Sequence, residues 1–553
     1  MCSSDLLQKG YAVLLRGVLK LRWVVIPAYL AATIGSVVVV GRQLGTEIFP
    51  AADAGQMALR LRAPAGTRLD RTEQYALRVL DIIRREAGEA NVLLTMGLVG
   101  VHAPNYPINL IHLWNSGPEE AHLSVQLKPD PDRPIAALQE RLRAAFETEV
   151  PDLRVSFEPS DIVSRVMSFG SPTPIEIAVS GPSLAANREF VGKIRSALAA
   201  VPALRDIQMA QTLDFPSVDV NVNRERAGLM GVRVGDVTRS LVAATTSSRF
   251  TVPNYWADPN SGVSYSLQVQ IPQARMNDLE EVRNIPVTAG PGRSVLLRNL
   301  ATVTPGTAVG QYERYNMARV VSLTANIHGS DLGRVVAEVE AAIATAGEPP
   351  PKTSVALRGQ SVPMKDLLLG FRHGLLVSVL VIALLLAANF QSLRLTLAVL
   401  FTLPAAVLGV LLALHLTHTT LNIQSAMGAI MSVGVAVANA ILLMTFSERF
   451  RREGMGATEA AVEGARSRLR PVLMTSLAMI AGMMPMALGL GEGGAQSAPL
   501  GRAVVGGLCL ATLATLLVLP AVFGALSAGA GRRSGSLDPT DPESEHYAPP
   551  AGA

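Results

Sequence analysis

The sequence predicts a polytopic α-helical membrane protein: six spans, plus one large α+β domain of duplicated ferredoxin-like β-α-β units with a β-rich insertion. Three observations predict it. An apolar span, Leu21–Val40, stands near the start. Five more crowd the end, at about Leu375–Phe390, Leu395–Leu414, Ser425–Phe446, Val472–Leu490 and Ala503–Leu526. Between them, residues 42–370 read as ordinary soluble protein with alternating strand and helix signals. Each apolar run comes close to the roughly 20 residues that cross a ~30 Å hydrocarbon core.

The bulk figures, 49% hydrophobic and 17% charged, average these two materials. A net charge of +4 is small for 553 residues and gives no case for nucleic acid. The basic residues gather at span ends instead. Lys9, Arg16, Lys20 and Arg22 precede or open the first span; Arg449, Arg451, Arg452, Arg466, Arg468 and Arg470 follow the fourth; Arg532 and Arg533 follow the last. The connections His415–Leu421 and Gly491–Gly501 carry no Lys or Arg. The positive-inside rule therefore predicts cytoplasmic termini, a cytoplasmic 447–470 loop and the large domain on the opposite side. The start lacks a signal-peptide layout. Two cysteines, Cys2 and Cys509, suggest no disulfide framework, and Cys509 reads as a packing residue of the last span.

Within the large domain, Gln56–Arg62 alternates like a strand and Leu69–Glu86 has helical spacing. Val92–Val99, His122–Lys128 and Leu153–Glu158 read as strands and Ile135–Glu147 as a helix. This is a split β-α-β pair. The pattern recurs: strand Pro174–Ser180, helix Leu184–Ala199 and strand Leu204–Met209, then strand Val320–Ile327, helix Leu332–Ala346 and strand Ser354–Arg358. An insertion with short strands at Ser264–Ile271 and Ser294–Leu297 interrupts it. The organisation expected is a segment 1–20, a first span 21–41, a linker 42–54, unit one at 55–160, unit two at 161–225 and 313–370, the insertion at 226–312, a five-helix bundle at 371–526 and a disordered tail at 527–553.

Specific strings now matter. GTEIFPAADAGQMALRLR follows the first span, NIQSAMGAIMSVGVAVANAILLMTF fills the fourth, and RLRPVLMTSLA opens the fifth. These resemble the resistance-nodulation-cell division (RND) efflux permeases of the hydrophobe/amphiphile multidrug type, over nearly all of residues 10–526. The match is to the C-terminal half of that family only. The resemblance implies a proton antiporter of the Gram-negative inner membrane, not an enzyme, with its porter domain in the periplasm. It also implies a homotrimer, a periplasmic adaptor protein, an outer-membrane channel, and a docking role for 226–312. It implies no cofactor. The family's first half carries paired membrane aspartates that take up protons; no Asp or Glu lies inside any span here. The expectation is a truncated frame or one half of a split pair that needs the missing N-terminal half, and the opening MCSSDLL reads as an artificial start.

Residue by residue, the resemblance assigns a proton relay to Arg468 and Thr475, with Asn439 beside them. A cation tunes nearby carboxylates and a hydroxyl passes a hydrogen bond. The plainer alternatives are a positive-inside anchor for Arg468, a self-bonded helix hydroxyl for Thr475 and an interhelical amide for Asn439. Where many drug exporters have Lys before that Asn, this chain has Ala438. Ser432, Ala436 and Ala440 form a small-residue packing stripe, and Pro404, Pro471, Pro485 and Pro520 are expected to kink or cap spans. For substrate, Asn105, Tyr106, Met167 and Phe169 are candidates for an adaptable cleft. Heavy-metal export is the alternative, with Met57, Met96 and Met167 as soft ligands, though they have no fixed spacing. His415 and His418 read as interfacial. No metal site is assigned. The absence of a G-x-x-x-x-G-K-[ST] string argues against an ATP-driven pump. A non-transporting scaffold and a protein-translocation accessory subunit are the rival classes.

Overall fold

The structure, a computed structural model, describes residues 2–50, 55–100, 115, 117–128, 134–160, 162–272, 275–276, 278–491, 493–529, 531, 539 and 547. Helix α1 (Cys2–Lys20) leads into the first span, α2 (Arg22–Gln43). The first α+β unit follows as β1 (Gln56–Arg62), α3 (Leu69–Ala87), β2 (Val92–Val99), β3 (Glu120–Leu127), α4 (Ile135–Glu149) and β4 (Arg154–Glu158). Its antiparallel sheet has the order β2-β3-β1-β4. Helix α3 buries Thr72, Ala76, Val79, Ile83 and Ala87, one stripe at steps of three and four. That stripe and Leu138, Leu142 and Phe146 of α4 close on Met57, Leu59, Leu61, Leu123 and Val125.

The second unit begins with α5 (Ile162–Met167), β5 (Ile175–Ser180), α6 (Leu184–Leu198) and β6 (Leu204–Met209). The inserted unit follows: β7 (Phe215–Val222), α7 (Arg224–Leu229), α8 (Val234–Thr245), β8 (Asn254–Ala257), β9 (Ser264–Leu267), α9 (Leu279–Arg283), β10 (Pro286–Thr288), β11 (Ser294–Leu296) and β12 (Ala301–Ala308). It has its own small core around Val237, Ile285, Val287, Leu297 and Val303. Strands β7 and β12 pair along their whole length, so the chain leaves and rejoins the second unit on one two-stranded ribbon. The second unit resumes with β13 (Glu313–Tyr315), β14 (Ala318–Ile327), α10 (Leu332–Thr345) and β15 (Ser354–Gly359). Its sheet repeats the first plan, with β14 between β5 and β6 and β15 beyond β5.

The remaining spans are α11 (Ser361–Phe390), α12 (Leu393–Leu400) with α13 (Leu403–Leu416), α14 (Ile423–Arg452), α15 (Ala457–Ala487) and α16 (Gly494–Leu526). These and α2 make six helical spans long and apolar enough to cross a membrane. The third span is broken where the sequence reads as one run. Pro404 lies in the first turn of α13 and cannot donate to the carbonyl one turn back; the chain turns at Phe401–Thr402, and the Tyr29 hydroxyl donates to the Phe401 carbonyl at 2.8 Å. Helix α16 is the hub of the bundle. A Cβ at Gly506 would overlap the Gly409 carbonyl and the Ala413 methyl, so α13 and α16 touch backbone to backbone. Ser432, Ala436 and Ala440 are buried, and Ser432 packs against Gly507. Cys509, in contrast, faces outward.

Two junctions tie the parts together. At one end of the bundle, α1 buries Ala12, Leu15 and Leu19 against the spans. At the other, the segment after α2 is stitched to the α13–α14 connection through Glu47 N to Leu421 O (3.0 Å) and Leu421 N to Gly45 O (2.8 Å). The same segment holds the start of α10 through Thr46 N to Asp331 Oδ1 at 2.9 Å.

Candidate functional site

The strongest polar constellation in the bundle centres on Asn439, midway along α14. An amide in an apolar helix must find partners or lose several kcal/mol. Its Nδ2 donates to Ser476 Oγ at 3.4 Å. The Thr475 hydroxyl lies 3.3 Å from Asn439 Oδ1, and also 3.1 and 3.0 Å from the Pro471 and Val472 carbonyls of its own helix. On the far side, Thr512 Oγ1 donates to Ser476 Oγ at 2.8 Å. Three helices thus supply one hydrogen-bonded row, Thr475–Asn439–Ser476–Thr512. One turn further along α16, Thr515 Oγ1 is buried without a partner. Asn439, Ser476 and Thr512 are buried, whereas Thr475 and Ala438 are exposed on the surface of the bundle. The row therefore has one open end.

Of the relay residues expected from sequence, Asn439 and Thr475 meet and Arg468 stands apart. It is seven residues before Thr475, about 10 Å along the helix axis. Its guanidinium stacks over the Phe446 ring at 3.6 Å, and its Nε is buried without a hydrogen bond. Ser476 and Thr512 escaped the sequence reading. Their only signals were a second hydroxyl after Thr475 and the repeated threonines of ATLATLL. Acids among the described residues of the spanning helices lie near their ends: Asp366, Glu448, Glu459 and Glu463.

The second polar region lies between the two α+β units. Alternation along β1 would send Arg60 and Arg62 to solvent, yet both are buried against the second unit. Glu120 pairs with both, at 3.0 Å to Arg60. Arg62 also donates to the Met209 and Ala210 carbonyls, each at 2.6 Å. Arg143 of α4 grips both oxygens of Asp206 at 2.9 Å. Asp206 has φ +53° at a register shift in the β6–β14 pairing, a bulge that re-aims its carboxylate across the gap. Nearby, burial raises the Glu313 carboxyl, partly opposed by the Gln211 amide, and burial likewise raises Glu119. Burial, with Arg60 beside it, lowers Arg62.

The sequence-derived cleft residues are dispersed. Asn105 and Tyr106 lie outside the described residues. Met167 packs on the core of the second unit, whereas Phe169 is 74% exposed at φ +49°. The three candidate metal methionines do not gather: Met57 is in the core of the first unit, Met96 is exposed on β2 and Met167 belongs to the second unit. Among the described residues, no group of three or more His, Cys, Asp or Glu side chains could hold a metal ion.

Six apolar helices and a duplicated α+β domain with an inserted unit give this chain the RND fold. The chain belongs to the AcrB/AcrD/AcrF family, whose model matches residues 3–527. It is 26% identical over 510 residues to the cobalt-zinc-cadmium resistance protein CzcA of Cupriavidus metallidurans, covering 90% of this chain and 47% of that protein. It is 26% identical to the toluene efflux pump membrane transporter TtgB of Pseudomonas putida, covering 94% of this chain and 48% of that protein. The crystal structure of a heavy metal efflux pump superposes with a TM-score of 0.82 at 27% identity, covering 95% of this chain and 53% of that one. The chain thus spans about half the length of the curated relatives it matches.

Proposed function

We propose that this chain is the C-terminal half of a proton-driven exporter of amphiphilic compounds, placed in the inner membrane with its α+β units in the periplasm. The observation that carries the reading is the row Thr475–Asn439–Ser476–Thr512, which crosses an apolar bundle and opens at Thr475. A proton relay needs hydroxyl and amide groups that pass hydrogen bonds to a titrating acid. The acid would come from a second six-span unit. The exposed stripe Met427, Met431, Gly434 and Ala438 on α14 recurs at the spacing that a packed neighbour needs. With Ala438 where relatives of the drug type have Lys, Asn439 and the row behind it take over the contact. Arg468, parked on Phe446, serves the basic end of the same helix pair.

Where the two α+β units meet, a substrate would pass polar rather than sulfur-bearing side chains. The units present Arg60, Arg62, Glu120 and Glu313 there rather than a thioether set. By family analogy the assembly is a homotrimer working with a periplasmic adaptor and an outer-membrane channel, and the 226–312 unit docks them. A second reading, heavy-metal export, draws on the likeness to CzcA and to the heavy metal efflux pump.

The test is co-expression with a first half that carries membrane acids, in cells stripped of other pumps. Dye export and Co/Zn/Cd tolerance are scored side by side. Dye export that falls at least tenfold in Asn439→Leu supports the relay and the amphiphile reading. Metal tolerance without dye export favours the second reading. Export of both unchanged in Asn439→Leu removes the row from the mechanism.

A further inference from the structure

A cavity of about 410 Å³ opens where the end of β1, the start of β4, helix α6 and the 209–214 connection meet. It is distinct from the row in the bundle and from the Met167–Phe169 region. Four arginines line it, Arg62, Arg154, Arg188 and Arg195, against the acids Glu119, Asp152 and Asp214. Two of the arginines are committed to partners in the structure. Arg62 is committed to Glu120 and two carbonyls, and Arg188 to Asp214 at 3.2 Å. Arg154 and Arg195, and likewise the acids Glu119 and Asp152, line the cavity with no ion pair among the described residues. Two atoms of the wall also stand unsatisfied: Glu119 Oε2 and Thr212 Oγ1 are buried with no hydrogen-bond partner. Glu119 is 1% exposed and Thr212 8%. A buried polar atom left alone is costly, so each such atom facing a cavity marks a place for a ligand or water group.

We propose that this cavity binds a small organic acid that also carries a hydroxyl or amine. Its carboxylate or phosphate sits between Arg154 and Arg195, where guanidinium forks match a planar or tetrahedral anion. Its hydrogen-bonding group reaches Glu119 and Thr212. The volume falls within the range of ligand sites of about 300–1,000 Å³, at its small end. The cavity shares Arg62 with the substrate path proposed above, but the inference rests on Arg154, Arg195, Glu119 and Thr212, which that path does not use.

Calorimetric titration of the full chain in detergent tests it, with malate, its diamide, succinate and inorganic phosphate as probes. Salt is held at about 0.15 M, where exposed charges farther apart than ~8 Å are screened. Malate is expected to bind saturably and the diamide not at all. Arg154→Gln with Arg195→Gln is expected to weaken malate roughly tenfold or more, the worth of a charge-assisted bond. Both side chains are exposed, so thermal unfolding without ligand should not move. Succinate, lacking the hydroxyl, should bind more weakly than malate, and Glu119→Gln should narrow that gap. Equal binding of the diamide, undiminished malate binding by the double variant, or no binding of either acid would overturn the proposal. Phosphate binding alone, without preference for malate over succinate, would overturn the part assigned to Glu119 and Thr212.

Discussion

Asp206 shows what one residue does in this molecule. It sits in the left-handed region within a strand, a conformation costing of order 1–3 kcal/mol for a non-glycine residue unless its surroundings hold it. Arg143 from the other unit holds it with two bonds of 2.9 Å, and Asn326 adds a third at 2.7 Å. The side chains are 7% and 15% exposed for Asp206 and Arg143, so the pair is largely desolvated. Asp206→Ala is expected to destabilise the chain by about 2–3 kcal/mol, because Arg143 then loses two charge-assisted bonds and keeps only Glu140 as an ion-pair partner. Denaturant titration measures this, and a loss below about 1 kcal/mol would show that water reaches the pair. None of this was legible locally. LRDIQM reads as a plain strand, and a bulge is set by the partner strand, not by the sequence that bulges.

At the scale of elements, the helices are joined by backbone groups that prolines and glycines expose. Pro520 cannot donate to the Leu516 carbonyl, and the Tyr11 hydroxyl of α1 takes that place at 2.6 Å. Burial pushes the Tyr11 hydroxyl far above its ordinary range. Tyr11→Phe is expected to cost about 1 kcal/mol in the native background. In Pro520→Ala the cost should largely vanish, because residue 520 then supplies its own N–H. Thermal unfolding of the four proteins of this cycle measures the coupling; strictly additive effects would mean that α1 is held by Leu15 and Leu19 alone. Periodicity made the spans and most strands legible. Gln56–Arg62, from its alternation, and Val92–Val99, from its run of apolar β-formers, have their observed limits because both signals are properties of neighbouring residues. Helix α1 was missed because its apolar stripe, Ala12, Leu15 and Leu19, is narrow and its outward face also carries Val13 and Leu14.

At the scale of the whole molecule, the α+β units ride on the bundle through the segment after α2. Glu47 sits in that joint. Burial raises its carboxyl above the ordinary 4.5, the Thr420 hydroxyl opposes this, and Asp331 adds to the rise. The folded chain therefore holds the proton to higher pH than the unfolded chain. The sign follows from linkage: stability is fully present below 4.5 and falls as pH rises through the folded value. Glu47→Gln is expected to raise thermal stability at neutral pH and to make no difference below about pH 4. A variant less stable than the native chain at neutral pH would mean that the charged carboxylate holds the joint through Thr420. The sequence by itself determined the six spans, most strands and helices of the two α+β units and the family, since hydropathy and alternation are written in consecutive residues. It also named Asn439 and Thr475, because their motif is short. Only the tertiary structure decided that Ser476 and Thr512 complete their row, that Arg468 lies on Phe446 instead, and that Arg60 and Arg62 are buried. Those facts depend on how separate elements cross and in what register. Arg62 meets the Met209 carbonyl 147 residues away, a distance over which no periodicity carries information.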